Sequence, residues 1–396
     1  MRYLLDKTNK VRQYSDSSLT VAYFLYWFAA AAFIPNLSMY YESSGYSGKQ
    51  IGLLIGIPYL ATSISSLSLG YLSDALRRPI WILRLCSIGF VSAIVLLSMA
   101  ENLLMTAFAC ATYAISSAPI NPILDGITLI SLEDPSRYGR IRIGGSFGWG
   151  LGILGIGFLL TGWNHCAMFF VAGITSILFF MNSFFIPDKK TTDKPTRLNP
   201  NNIWRFIKRR TSLILLIANI VWGISESCIT GYLFLHINEL GGNSLTMSFS
   251  MATAILSEIV CFSFVDQLIK KSKLSTMVIY SYMLQFIRLC SLVLIKNPVL
   301  LVLFQFCGGA SFALIWSASV AYINTHVEKE LQAAGQALKS VSMSIGSSIC
   351  VFSAGYLYEV SGTTSIYFWM ALITLLALIT GFYVKFRTKS KSAATQ

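Results

Sequence analysis

The sequence predicts an all-α integral membrane protein of twelve transmembrane helices in two six-helix halves, with both termini cytoplasmic. Three observations predict it. Apolar stretches long enough to cross ~30 Å of hydrocarbon recur along the whole chain, Lys and Arg collect in alternate connections, and the one long polar interruption falls midway. With 55% hydrophobic and 12% charged residues over 396 positions, and a mean hydropathy of +0.63, the chain holds more apolar surface than one soluble core could bury. Lipid must serve as its solvent.

Residues 1–18 are polar and charged, without the short apolar region and small-residue cleavage site of a removable signal peptide, so the first span is expected to act as the signal. That span covers 21–39. The second, 51–72, follows Gly48 and Lys49 and closes on Asp74, Arg77 and Arg78. Spans 80–100 and 103–132 are parted only by Glu101 and Asn102, and the latter contains Pro119 and Pro122. Span 141–160 follows Arg137 and Arg140, and span 168–186 stops at Pro187. In the second half, 212–235 starts after Arg210, 247–265 follows Gly241-Gly242, 274–294 follows Lys273, and 299–323 follows Pro298. Spans 332–358 and 366–384 complete the set, every one ending at charge, proline or glycine.

Orientation follows from the basic residues, since short Lys- and Arg-rich loops stay cytoplasmic. One side receives Arg2, Lys7, Lys10, Arg12, Arg77, Arg78, Arg137, Arg140, the loop 189–210, Lys270, Lys271, Lys273, Lys329 and the tail 385–391, while the other receives only Lys49 and Lys296. The net charge of +13 is therefore a topology signal, and no nucleic-acid partner is expected. The expected division is an N-terminal half at 1–187, a cytoplasmic central loop at 188–210, a C-terminal half at 211–386, and a tail at 387–396. The eight cysteines fall in or at the edges of spans without metal-type spacing, which points to small core residues rather than disulfides or a metal site. No phosphate-cradling loop, metal cluster or nucleophile–base spacing supports an enzyme.

The segment Tyr-Gly-Arg-Ile-Arg-Ile-Gly-Gly-Ser-Phe-Gly-Trp, 138–149, carries chemistry. At ~3.6 residues per turn, Arg142, Ser146 and Trp149 project from roughly one face of the fifth span, offering a cation, a hydroxyl and a flat apolar plate. The same helix holds Gly144, Gly145, Gly148, Gly150, Gly152, Gly155 and Gly157, which suits close backbone approach in a bundle. On the fourth span, Asp125 follows Pro119-Ile-Asn-Pro122, where prolines loosen the helix. A carboxylate at this depth needs a partner or a wet cavity, and Arg142 is the candidate. In the second half Glu226, Glu258, Arg288 and Lys339 are also intramembrane, spread over four helices like a charge network around a cavity. Asn36, Tyr113, Asn121, Trp222, Gln285, Gln305 and Trp316 are further cavity-lining candidates. His165, His236 and His326 fall at span ends, where solvated or interfacial roles are expected.

The run Gly70-Tyr-Leu-Ser-Asp74-Ala-Leu-Arg77-Arg78, weakly repeated as Phe264-Val-Asp266-Gln-Leu-Ile-Lys270-Lys271, resembles the loop between the second and third helices of the major facilitator superfamily, with Leu76 where a glycine often stands. The resemblance implies gating roles for Asp74, Arg77 and Arg78. The segment 138–149 resembles the start of the fifth helix in lactose-permease-like oligosaccharide:proton symporters and related phenylpropionate and nucleoside permeases. That resemblance implies substrate binding by Arg142 paired with Asp125, stacking on Trp149, and binding and proton coupling by Glu258 and Arg288. Glu226 falls near an acid that the family neutralises with a lysine. Lys339 lies about one turn from that lysine's usual position, and Arg288 is an equally open partner for Glu226. Where those symporters carry a histidine and an acid on the tenth helix, this chain runs Gln305-Phe-Cys-Gly308-Gly309-Ala-Ser311, so coupling is assigned to Glu258, with Asp125 second. The expected function is proton-coupled uptake of a sugar or similar small polar solute across the cell membrane, by a monomer with no cofactor beyond the coupling proton. Import of nucleosides or aromatic acids, and drug or metabolite export on the same fold, are the alternatives.

Overall fold

The computed structural model describes residues 2–61, 79–132, 137–160, 166–186 and 200–393. Asp74, Arg77 and Arg78, assigned to gating, lie outside the described residues, as does His165. Among the described residues the chain is helical, with no strand.

Helix α1 (Arg2–Phe33) is interrupted by one 3-10 turn, Ile34–Asn36, and resumes as α2 (Leu37–Ser43). Pro35 stands in the first turn of that short segment, where its missing N–H breaks the α-helical ladder. Helix α3 occupies 48–61. Then come α4 (Pro79–Ser98), α5 (Leu103–Ser117) and α6 (Ile120–Ser131). The Asn102 side chain caps α5 by accepting from the Met105 N–H, and Ala118-Pro119 divides α5 from α6 within one predicted span. Helices α7 (Tyr138–Leu160) and α8 (Cys166–Asn182) follow, then the short α9 (Pro200–Lys208). The remaining helices are α10 (Arg210–Glu239), α11 (Ser244–Lys271), α12 (Leu274–Leu294), α13 (Pro298–Phe304), α14 (Phe306–His326) and α15 (Lys329–Ala393).

Nine stretches among the described residues are long and apolar enough to cross a membrane. They map onto the predicted spans with three differences. Helix α8 has 17 residues, α3 is described only to residue 61, and the two final spans form the single helix α15 kinked at Gly362. Gly362 has φ +73°, the left-handed region glycine enters without Cβ strain, and spans 332–358 and 366–384 lie either side of it.

The chain forms two compact units. The first comprises Met1–Ser44 and Ile57–Arg197, and the second Gly45–Gly56 and Leu198–Gln396. This departs from the expected half at 1–187, because the start of α3 packs on α15. A Cβ at Gly52 would stand 2.8 Å from the Val351 carbonyl oxygen and 2.9 Å from Gly355 Cα, and Lys49 pairs with Glu359 at 3.2 Å. Sequence cannot announce such a contact, because α3 and α15 are some 300 residues apart.

In the first unit, α7 lies on α1 through the glycines singled out above. Gly144 meets the Thr20 carbonyl, Gly148 the Phe24 carbonyl and Gly152 the Phe28 carbonyl, so α1 and α7 touch backbone to backbone. Gly150 and Gly155 face open space. In the second unit, Gly223 and Gly346 do the same for α10 and α15, and Gly309 does so for α14 and α11. Cys86, Cys110, Cys228 and Cys350 are buried thiols.

His236 corrects the sequence expectation. It is buried rather than interfacial, because α10 continues to Glu239 and turns the ring toward α15. There its Nδ1 stands 2.6 Å from Thr363 Oγ1, and Thr363 donates to Glu239. His326 is exposed and stacks on Tyr322.

Candidate functional site

Among the described residues, each unit pairs an arginine with a carboxylate inside its predicted spans: Arg142 with Asp125 and Arg288 with Glu226. In the first unit Arg142 sits one turn into α7, and Asp125 in the middle of α6. Arg142 Nε stands 3.7 Å from Asp125 Oδ1, a salt bridge in which both side chains remain about one-third exposed. Tyr23, fully buried on α1, donates its hydroxyl to the same Oδ1 at 2.5 Å, and the Arg142 guanidinium lies over its ring, 5.4 Å from the centroid. The carboxylate is thus held from two sides while the guanidinium keeps donors unspent, a combination able to bind an oxygen-rich ligand. Asp125 and Thr128 lie on one face of α6, and Tyr23 OH is also 3.4 Å from Thr128 Oγ1.

Ser146 and Trp149 share the partly exposed face of α7 with Arg142, as the spacing predicts. The Trp149 ring packs edge-on against Trp27 of α1, with centroids 5.5 Å apart at 70°. Gly145 makes room for Trp27, since a Cβ there would stand 2.6 Å from the indole Cδ1. Tyr23 and Trp27 escaped the sequence reading. Their four-residue spacing on α1 was the available signal, placing a phenol and an indole on one helical face.

In the second unit the acid that Arg288 meets is Glu226. Nη1 donates to Glu226 Oε2 at 2.9 Å, and Nε donates to Gln305 Oε1 at 2.8 Å. Gln285 donates to the same Glu226 oxygen at 3.0 Å. Arg288 is 1% exposed, and Gly308 provides the space for its guanidinium, which any Cβ at that position would strike. The stretch 305–311, which lacks a titratable pair, therefore hosts the arginine: Gln305 accepts its hydrogen bond and Gly308 stands aside. Glu258 is half-buried on α11, beside Gly309. Lys339, the other candidate partner of Glu226, instead lies with Nζ 3.2 Å from the centre of the Trp316 ring. Trp222 and Phe312 extend that aromatic surface, and the Trp222 indole N–H donates to Ser311 Oγ at 3.1 Å.

Among the other lining candidates, Asn36, Gln285 and Gln305 are buried, and Tyr113 packs between Phe33 and Phe90. Among the described residues no group of three or more His, Cys, Asp or Glu could hold a metal ion.

A family model described as "MFS_1 like family" matches residues 17–369. Over 362 residues the chain is 22% identical to a maltose permease of Geobacillus stearothermophilus, covering 90% of this chain and 91% of the relative. It is 20% identical over 366 residues to a probable 3-phenylpropionic acid transporter of Escherichia coli (strain K12), covering 91% and 95%. A crystal structure of the nucleoside transporter NupG superposes with a TM-score of 0.82 at 14% identity, covering 93% of this chain and 98% of that one, which is a likeness of fold.

Proposed function

The chain belongs to the MFS_1 like family of membrane transporters, and on that premise we propose that it takes up a sugar or similar small polar solute, coupled to protons, by alternating access. The carrying observation is the Arg142–Asp125–Tyr23 group beside Trp149. A guanidinium and carboxylate each about one-third exposed supply donors and acceptors for hydroxyls, and the indole supplies a plate for the apolar face of a ring. The maltose permease among its relatives supports the sugar reading.

The finer topology belongs to the same proposal: twelve spans in two halves, both termini cytoplasmic as the distribution of Lys and Arg directs, in the cell membrane, and working as a monomer. Glu258 is the proposed proton carrier, with Asp125 second and Glu226 a third carboxylate of the coupling set. An ionised, unpaired carboxylate is costly in a closed intermediate, so reorientation is favoured when Glu258 is neutral or paired. Arg142 and Asp125 are the proposed solute-binding pair of the first unit, with Ser146 a further hydroxyl, and Arg288 is the proposed substrate-binding residue of the second unit taken by itself. No cofactor besides the proton is needed, since the work is done by a gradient.

The test is solute-evoked charge movement in proteoliposomes, with mono- and disaccharides, nucleosides and aromatic acids offered with and without a proton gradient. A neutral solute that drives inward charge, and loses that response in Arg142→Ala, supports symport. Silence throughout, with gradient-driven efflux of a lipophilic cation, would move the chain to the exporters.

A further inference from the structure

Lys339 is 2% exposed, two turns inside a membrane span, yet its ammonium faces an aromatic ring instead of an acid. Among the described residues no carboxylate stands within ion-pair distance of it. Four described acids of the second unit have partners elsewhere: Glu226 pairs with Arg288 and Gln285, Glu239 with Thr363, Glu328 with Arg205 and Arg209, and Glu359 with Lys49. Glu258 is level with Gly309, two turns of α14 away from Trp316. A cation at this depth is costly unless something compensates it, and intramembrane charges of this kind mark solute and ion pathways. Trp316 compensates it in part, through the ring quadrupole.

The surface around it is not that of a closed core. Trp316 and Phe312 are each partly exposed, with ring centroids 5.5 Å apart, and Phe312 continues to Trp222 at 5.6 Å. Met343, one turn beyond Lys339 on α15, is partly buried against the same cluster. A fixed cation at the edge of a run of aromatic planes is complementary to a flat ring that carries an anionic group.

We propose that Lys339, with Trp316 and Phe312, forms a second solute-binding site that takes the carboxylate of a ring-bearing organic acid. Lys339 supplies the counter-charge and three donors, and the aromatic planes hold the ring. This rests on the transport reading above and narrows it, because a neutral sugar would leave the ammonium uncompensated. A sugar acid and an aryl alkanoate share the required chemistry.

The experiment reads tryptophan fluorescence of the full-length protein in lipid nanodiscs, titrated with 3-phenylpropionate and with glucuronate, each against its neutral counterpart, 3-phenylpropanamide and glucose. The expected result is that at least one acid binds tenfold or more tightly than its neutral partner. Lys339→Gln should remove that preference and Lys339→Arg should keep most of it. The comparison of acid with neutral ligand uses the native protein and so does not depend on a variant folding. Equal binding of acid and neutral forms, or no binding of either acid, overturns the anion site. Proteoliposome uptake of the same four solutes separates the two readings. Equal uptake of each acid and its neutral counterpart, in both pairs, overturns the site and leaves transport standing, whereas acid-selective binding with no uptake of any solute overturns transport and leaves the site.

Discussion

Arg288 and Glu226 form an ion pair at 2.9 Å inside the second half, with Gln305 and Gln285 each adding a hydrogen bond to one partner. The arginine is essentially inaccessible while the acid keeps one-fifth of its side chain exposed. Removing one member leaves the other charged and unmatched in an apolar surround, at a cost of about 3–5 kcal/mol, whereas replacing both with apolar residues costs far less. Glu226→Ala should therefore lower the unfolding midpoint sharply, and Glu226→Ala with Arg288→Met should recover much of the loss. Thermal unfolding of purified protein in one detergent checks this, and a double variant no better than the single would rule it out.

The Tyr23 hydroxyl donates to Asp125 beside Arg142. A hydrogen bond to a charged group is worth about 1.5–3 kcal/mol, so Tyr23→Phe should weaken solute binding by one to two orders of magnitude while leaving the fold intact. Arg142→Ala should abolish uptake. Uptake kinetics in proteoliposomes distinguish them, and an unchanged KM in Tyr23→Phe would count against a positioning role.

Glu258 is the carboxylate proposed to carry the coupled proton. Glu258→Gln fixes the neutral form, so uphill accumulation should disappear while solute exchange across the membrane persists. Parallel assays of gradient-driven uptake and of counterflow provide the check, and equal loss of both would remove Glu258 from coupling.

Helix spacing gives a stability prediction with an internal control. At Gly148 a Cβ would run into the Phe24 backbone carbonyl, whereas at Gly150 it would meet nothing within 4 Å. Gly148→Ala should cost about 1–3 kcal/mol by forcing α1 and α7 apart. Gly150→Ala should be neutral or slightly stabilising, since alanine is the better helix former. Folded yield by size-exclusion chromatography reads the difference.

Glu359 lies in the connection at the α15 kink, outside the spans either side, and accepts from the Lys49 N–H as well as from its ammonium. The backbone N–H first, then the side chain of Lys49, hold its carboxyl below the usual carboxylate range. A depressed carboxylate contributes its stabilisation above its unfolded pKa and loses it as pH falls through the folded value. The contact between α3 and α15 should therefore loosen on acidification, and Glu359→Gln should flatten that pH dependence. Hydrogen exchange at the backbone amides of Lys49 and its neighbours on α3 across a pH series would measure it.

Much of this was legible in the chain. Arg142, Ser146 and Trp149 share a face because helical periodicity is local, and Asp125 with Arg142 was the economical pairing of an acid with a nearby base. The glycines of α7 announced close packing, although not that α1 was their partner. Tyr23 and Trp27 share one face of α1 by their four-residue spacing, but that face acquires a role only when α7 lies against it.

By itself the sequence determined where the apolar, membrane-length stretches fall and the side that the basic loops favour, because transfer from water to lipid sums residue by residue along a segment. Only the tertiary structure decided that Glu226 takes Arg288 and leaves Lys339 to Trp316, that Gln305 and Gly308 make room for the arginine, that His236 is buried against Thr363, and that Gly45–Gly56 packs with the second unit. Those outcomes depend on the rotation and depth at which separate helices meet. A few ångströms or one turn of helix exchanges one partner for another, and no local pattern in the chain records that register.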